Sequence, residues 1–368
     1  MRFLHTADWH LGYRQYGMAV READFVKPLD EIAEIALRER VNAVVVAGDM
    51  FDSPRPPASA VQAARSFGTK LYENGIPVLS IDGNHDLSGG KWARLCGFTP
   101  LQQDTAHGTP MVNVRGTWFA GVDFCRTQQL VERLKSLKER GCDLHGGVLV
   151  LHMEIAELTA YSTALSLRDL EPLLDALNVG YVALGHIHNA VSTSTEAGRI
   201  YRYPGSTEMN DISELGPKYV DVVTAESGSQ YTYDSLALAT RRFEVVDVDT
   251  AEAIDEKLAP ALRDPETFWL VKVNLAAPGK PIARVEDLLK DRLFRILPYG
   301  NRTIEEKTDR ANVVVGLKDA IGKFFDLGSD EASLVARMID TPEQVKAIAA
   351  EYAAAEDKEN ETKKETAA

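Results

Sequence analysis

Val41-Asn42-Ala43-Val44-Val45-Val46-Ala47 is a β-branched apolar run that ends abruptly at Gly48-Asp49-Met50-Phe51-Asp52. Three further stretches behave alike. Gly75-Ile76-Pro77-Val78-Leu79-Ser80-Ile81 ends at Asp82-Gly83-Asn84-His85-Asp86, Gly147-Val148-Leu149-Val150-Leu151 ends at His152, and Tyr181-Val182-Ala183-Leu184 ends at Gly185-His186-Ile187-His188. The N-terminal segment is strand-like too and runs into Asp8-Trp9-His10. Continuous apolar runs bounded by turn residues read as strands buried on both faces. Between them lie helical spacings, with Phe25, Leu29, Ile32, Ile35, Ala36 and Leu37 along Ala23 to Arg40, and Leu130, Leu134 and Leu137 further on. Repeated strand-then-helix units predict an α/β fold.

The 368 residues predict two to three domains. Apolar residues at 45% and charged residues at 26% are ordinary for a globular protein. With 41 basic and 55 acidic residues the net charge is −14, which excludes coating nucleic acid by bulk positive charge. Arg133, Lys135, Lys138 and Arg140 form a basic helix face or end, which reads best as a solvated surface. No apolar run reaches the ~18 residues of a membrane span, and the N-terminus carries no apolar signal core. Cys96, Cys125 and Cys142 make no CxxC pair, and their odd number fits a reducing compartment. The expected location is therefore cytoplasmic.

From Tyr219 to Asp249 the pattern shifts to short alternating strands, followed by a strand-like Phe268 to Val273 and a helix-like Val285 to Lys290. These predict a second, small α+β domain at roughly 241–310. Thr341-Pro342-Glu343-Gln344 is a capping box opening a helix with Val345, Ile348, Ala349 and Tyr352 on one stripe; Leu334, Val335, Met338 and Ile339 make another. Residues 356–368 hold five acids and three lysines and read as a solvated, disordered tail.

Five of the eight histidines sit at the strand ends, together with aspartates and an asparagine. Loops at the carbonyl ends of strands in α/β sheets converge on one crevice, so these side chains can meet. Each cluster alone also fits a structural role: Gly48-Asp49 a turn closed by an Asx hydrogen bond, Asn84-His85-Asp86 a polar loop, His152 a buried histidine. Their joint occurrence in this order points to a metal site. Mixed imidazole, carboxylate and amide ligands suit borderline divalent ions such as Mn²⁺ or Fe²⁺, and an all-thiolate zinc site is excluded.

The series Asp-x-His, Gly-Asp-x-x-Asp, Gly-Asn-His-Asp, His, Gly-His-x-His resembles the calcineurin-like metallophosphoesterase superfamily. Within it, Ala7-Asp8-Trp9-His10-Leu11-Gly12-Tyr13-Arg14-Gln15-Tyr16, Ala47 to Asp52 with Arg55-Pro56, Leu184 to His188, and Tyr203-Pro204-Gly205-Ser206 are similar to the SbcD / meiotic recombination eleven nucleases of double-strand break repair. The match covers roughly residues 1–240. It implies a four-layer metallophosphoesterase β-sandwich flanked by helices, with a DNA-capping α+β domain at 241–310, a helical ATPase-binding segment at 311–355 and the tail at 356–368.

The resemblance also implies two Mn²⁺ ions, about 3.5–4 Å apart as in two-metal hydrolases. Asp8, His10, Asp49 and His188 would hold one, and Asp49, Asn84, His152 and His186 the other, with Asp49 bridging. His85 would stabilise the developing charge or protonate the leaving oxygen, and Asp86 would orient His85 by a hydrogen bond. Some family members carry a histidine where this chain has Asp52, which leaves that residue outside the ligand set, as an orienting or substrate-facing group. Implied partners are DNA, an SMC-like ATPase of the SbcC / radiation-fifty type and a second copy of the chain; the C-terminal stripes read equally as the ATPase docking surface and as faces packed on each other or on the core. The segments Ala60 to Leu71 and around Trp92, Leu95 and Leu101 are the candidate dimer helices.

The leading expectation is thus a nuclease, 3′-to-5′ exonuclease on duplex ends and endonuclease on single strands or hairpins. A small-molecule or cyclic-nucleotide phosphodiesterase of the same superfamily is the enzymatic alternative, and an architectural DNA-end tether the non-enzymatic one. A protein phosphatase is disfavoured because Ser53-Pro54 follows Asp52 where Arg-Gly is expected.

Overall fold

The computed structural model describes residues 1–101, 111–159, 165–226, 230–250, 253–274, 281–290 and 292–299. The chain divides into two compact units, 1–273 with 282–297, and 274–281 with 298–368. Everything that builds the site lies in the first. The expected helical segment at 311–355 and the tail at 356–368 fall outside the described residues.

Along the first half, strand and helix alternate: β1 (Arg2–Thr6), α1 (Ala19–Arg38), β2 (Ala43–Ala47), α2 (Ala58–Glu73), β3 (Val78–Ile81), α3 (Lys91–Leu95) and β4 (Thr99–Pro100). There follow β5 (Met111–Val114), β6 (Thr117–Val122), α4 (Thr127–Glu139), β7 (Gly147–His152), α5 (Leu167–Ala176), β8 (Val179–Gly185), β9 (Val191–Ser194) and β10 (Ile200–Tyr203). The chain then returns through β11 (Lys218–Ala225) and β12 (Tyr231–Leu238).

These strands make two six-stranded mixed sheets, ordered β12-β11-β1-β2-β3-β4 and β5-β6-β7-β8-β10-β9. β1 to β4 pair in parallel, as do β6, β7, β8 and β10, while β11 and β12 close the first sheet antiparallel. Every residue of β2, β3, β7 and β8 is buried, for a reason visible in the side-chain alternation. Phe3, Val45, Ala47, Leu79, Val148, Val150 and Ala183 face between the sheets. Their neighbours Leu4, Val44 and Val46 face α1 and α2, and Leu149, Leu151 and Val182 face α4 and α5. Successive side chains of a strand point to opposite sides, so a strand covered on both sides must be apolar throughout. The result is four layers, helix, sheet, sheet, helix, as the motifs imply.

A third sheet, ordered β13 (Phe243–Val248), β14 (Phe268–Asn274) and β15 (Phe294–Tyr299), carries α6 (Ile254–Arg263) and α7 (Pro281–Leu289). It has its own apolar interior of Val248, Ile254, Leu258, Val271, Val273, Val285 and Leu289. Its main part nonetheless belongs to the same compact unit as the two large sheets. The strands read at Tyr219 and Tyr231 are β11 and β12, which extend the first large sheet from β1.

Between the large sheets lies one polar cluster. Arg202 is paired with Asp221 through two hydrogen bonds of 2.6 and 3.0 Å, and His5, fully buried, contacts the Tyr181 hydroxyl at 3.2 Å. Burial and then the nearby Arg202 charge push His5 down from 6.5 to about 3. The unfolded chain therefore takes up a proton below pH 6.5 that the folded chain refuses, so stability falls as pH drops through that window. His5→Gln removes this slope. Denaturant titrations at pH 7 and pH 5 are expected to show a loss about 2 kcal/mol smaller in the variant; equal losses would sink the assignment.

Candidate metal centre

β1, β2, β3, β7 and β8 end at the same edge of the two sheets, and the loops that leave them are stitched together. Asp8 N–H donates to the Gly48 carbonyl at 3.1 Å, His10 N–H to Asp49 at 3.0 Å, and Leu11 N–H to Met50 at 3.0 Å. The backbone turns sharply at these points. Asp8, His10, Asp49 and His186 all have positive φ, at 54°, 45°, 48° and 97°. Left-handed conformation in residues other than glycine is costly and gathers at functional sites, where packing enforces it.

The motif glycines are explained by the same crowding. A Cβ on Gly48 would lie 2.3 Å from His152 Nδ1, one on Gly83 2.1 Å from Asp49 Oδ1, and one on Gly185 2.0 Å from the Ala47 carbonyl. Backbone and neighbouring functional side chains are in direct contact at all three.

The structure brings the seven expected ligand residues together in two groups. One atom each of Asp8, His10 and His188 lies within 4.8 Å of the others, and the same holds for Asp49, His152 and His186. Asn84 joins the second group, its Oδ1 standing 3.0 Å from His152 Nε2 and 2.9 Å from His186 Nδ1. Asp49 reaches both groups, with Oδ2 3.2 Å from His152 Nε2 and 3.9 Å from His10 Nε2. Asp8, His10, Asp49 and His152 are almost fully buried.

The donor chemistry fits divalent cations. His152 Nδ1 lies 2.8 Å from the Ala47 carbonyl, which only accepts, so Nδ1 carries a proton and Nε2 is the nitrogen turned to the oxygens of Asn84 and Asp49. His10 Nε2 and His188 Nε2 face each other at 3.1 Å. A separation this short is bridged by one proton or by one cation held between the two nitrogens. Burial pushes the Asp49 carboxyl up, but His152, His10 and the His85 N–H together hold it well below the usual range, so it is charged. Imidazole, carboxylate and amide are the donor mixture of borderline divalent ions.

His85 lies beside these groups on the wall of a cavity of about 590 Å³, which His186, His188, Glu154 and Glu214 also line. Its side chain is 41% exposed and its ring packs edge-on against His10, centroids 4.8 Å apart. The expected Asp86–His85 hydrogen bond is not what orients it. Asp86 is buried and its two oxygens accept from the Phe51 and Gly83 N–H groups at 3.1 and 2.8 Å. Burial, reinforced by Asp49, pushes Asp86 up to about 7. His85 Nδ1 donates instead to the backbone carbonyl of Asp52 at 3.1 Å. The Asp52 carboxylate stands 3.5 Å from His10 Nδ1 and 3.7 Å from His85 Nδ1, between the two rings.

Residues 1–190 match the family model for calcineurin-like phosphoesterases. The chain belongs to that family. Its curated relatives carry the name that the motifs pointed to. The DNA double-strand break repair protein Mre11 of Methanococcus maripaludis is 29% identical over 58% of this phosphoesterase and 59% of its own length. Its counterpart in Aeropyrum pernix is 32% identical over 60% and 58%, and that of Saccharolobus solfataricus is 24% identical over 93% and 95%. The phosphoesterase thus aligns with a little under three fifths of the first two relatives.

Two site carboxylates belong to no motif. Glu154 Oε1 lies 3.3 Å from His186 Nε2, and Glu214 Oε1 lies 2.7 Å from His188 Nδ1. Glu154 follows His152 by two positions, a signal available in the sequence; Glu214, beyond β10, offers none.

Proposed function

We propose that this phosphoesterase is the nuclease subunit of a DNA double-strand break repair complex, hydrolysing phosphodiesters with two Mn²⁺ ions. The observation that carries the reading is the Asp49 carboxylate set between two histidine groups, in a chain whose relatives are named for that repair. Asp8, His10, Asp49 and His188 would hold one ion, and Asp49, Asn84, His152 and His186 the other. When bound, the ions neutralise the phosphodiester charge and make water nucleophilic at neutral pH.

The remaining steps fall to the chain. The neutral imidazoles and the Asn84 amide keep the loaded site positive, which draws in a polyanion despite the net charge of −14. His85, with its proton on Nδ1 fixed by the Asp52 carbonyl, presents Nε2 to the cavity, where it stabilises developing charge or delivers a proton to the leaving 3′ or 5′ oxygen. Asp86 holds Gly83 and Phe51, and with them the loop that carries Asn84 and His85. Asp52 stands where it can orient both His10 and His85.

The proposed activities are 3′-to-5′ exonuclease on duplex ends and endonuclease on single strands or hairpins. Residues 241–310 would cap the DNA, and 311–355 would dock on an SMC-like ATPase of the SbcC / radiation-fifty type. A homodimer through α2 and α3 is supported by the exposure of Tyr72 and Leu95 there. Among the described residues no helix is long and apolar enough to cross a membrane, and we place the protein in the cytoplasm, with the DNA.

The test is hydrolysis of a blunt, end-labelled duplex with Mn²⁺, Mg²⁺ or EDTA, with a cyclic dinucleotide as competitor. Mn²⁺-dependent nucleotide release is expected, reduced by about 10²- to 10⁴-fold in His85→Asn with metal binding intact. Intact DNA beside rapid cleavage of the cyclic dinucleotide would replace this reading with a small-molecule phosphodiesterase.

A further inference from the structure

His188 is held from behind by a buried ionic network. Glu214 Oε1 lies 2.7 Å from His188 Nδ1, while Glu214 Oε2 accepts from Lys218 Nζ at 2.9 Å and from the Asn210 N–H at 3.1 Å. Lys218 also donates to the His188 carbonyl at 3.2 Å and to Ser206 Oγ at 2.8 Å. Glu214, Lys218 and Ser206 are all buried. Glu214 ends a short turn, Ile212–Glu214, that Asp211 caps through the Ser213 N–H, so its position is fixed by the backbone as well.

An ionised carboxylate only accepts, so the His188 proton must sit on Nδ1. The Asn210 carboxamide packs 3.1 Å from the same nitrogen. With Nδ1–H engaged by Glu214, the Nε2 lone pair points at His10 and Asp8 in the candidate metal centre.

We propose that Glu214 is a positioning residue for the metal centre, fixing the His188 imidazole in the tautomer and orientation that present Nε2 to an ion. This rests on the reading of His188 as a ligand. Lys218 acts through Glu214: it keeps the carboxylate charged and clamps the His188 backbone. Carboxylates that accept from the far nitrogen of a ligating histidine typically contribute 10- to 100-fold in metal affinity.

The competing account makes Glu214 only the counter-ion of Lys218. Two double variants of the full chain separate the accounts, because both remove the buried charges together. Glu214→Gln with Lys218→Met keeps an acceptor for Nδ1–H; Glu214→Leu with Lys218→Met does not. Mn²⁺ titration calorimetry on metal-stripped protein should show one of two ions bound about 10- to 100-fold more weakly in the leucine pair. The glutamine pair should stay within a few-fold of wild type. Equal affinities in both pairs overturn the proposal while leaving the metal reading intact. Should the leucine pair fail to fold, ¹⁵N NMR of the metal-free wild type decides alone. A protonated Nδ1 on His188 is expected, and an unprotonated one overturns the proposal. A wild type that binds no Mn²⁺ overturns the metal reading and this proposal with it.

Discussion

Gly83→Ala lowers phosphodiester hydrolysis by about 10²-fold or more, in a protein that still folds. The new Cβ would stand 2.1 Å from Asp49 Oδ1 and 2.4 Å from the Asp49 backbone nitrogen, both well inside contact distance. Neither side can give way without cost. Asp49 Oδ1 accepts from the His85 N–H at 2.8 Å and its Oδ2 faces His152 at 3.2 Å. Gly83 is pinned through its own N–H to Asp86 at 2.8 Å. A shift near 1 Å moves a carboxylate that both histidine groups share, and displacement on that scale is enough to lose most of a rate enhancement that depends on geometry. Duplex hydrolysis together with bound Mn²⁺ per chain checks this. Full turnover with two ions bound would show that the loop has room the packing denies.

Arg21→Met is expected to cost about 3–5 kcal/mol of stability. In a unit this large that lowers Tm by roughly 10 °C. Arg21 is completely buried, donating to Asp24 at 2.8 Å, to Glu208 at 3.1 Å, to the Met209 carbonyl at 3.0 Å and to Gln15 at 2.8 Å. Its guanidinium also lies 4.8 Å from the ring centre of Phe243, at the start of β13. Methionine fills the volume but leaves Glu208 buried without its direct ion pair, Arg241 acting on it only at longer range, and burial already pushes that carboxyl up. Asp24 keeps Arg241 and Lys27. Burial raises its carboxyl, yet the hydrogen bonds from Arg241, Lys27 and Arg21 outweigh that and hold it low. This stabilising contribution is present above the unfolded carboxylate pKa and is lost as pH falls through the folded one. Thermal melts of Arg21→Met and Arg21→Lys measure the effect. A methionine variant melting within about 2 °C of wild type would mean that the pairing merely offsets the burial of its charges.

Arg21 also shows how the candidate centre is tied to the rest of the fold. Gln15, which it orients, donates to the Asn210 carbonyl at 2.7 Å, and Arg241 pairs with Asp24 from the segment leading into β13. Helix α1, the loop after His10, the stretch from Ser206 to Asn210 and the third sheet therefore meet at one buried cation.

The sequence by itself determined where the strands lie and what stands at their ends. Runs such as Ala43-Val44-Val45-Val46-Ala47, β-branched and bounded by turn residues, read as strands buried on both faces, so β2, β3, β7 and β8 were legible, and so were the aspartates, histidines and Asn84 that follow them. The short edge strands β9 and β5 were not, because Val191-Ser192-Thr193-Ser194 has too little apolar surface to stand out from a loop. Tertiary structure alone decided the strand order, which sends β11 back to pair with β1 across more than two hundred residues of chain. It also decided which group orients which. Asp86 sits next to His85 in the chain but spends both oxygens on backbone N–H groups, and the carbonyl of Asp52 holds the ring instead. Glu214 reaches His188 from 26 positions away and Glu208 reaches Arg21 from 187. Hydrophobic periodicity records which residues are covered, since burial acts on each side chain separately. A hydrogen-bond partner is chosen by direction and distance after the sheets have packed, and neither is written in the spacing of residues along the chain.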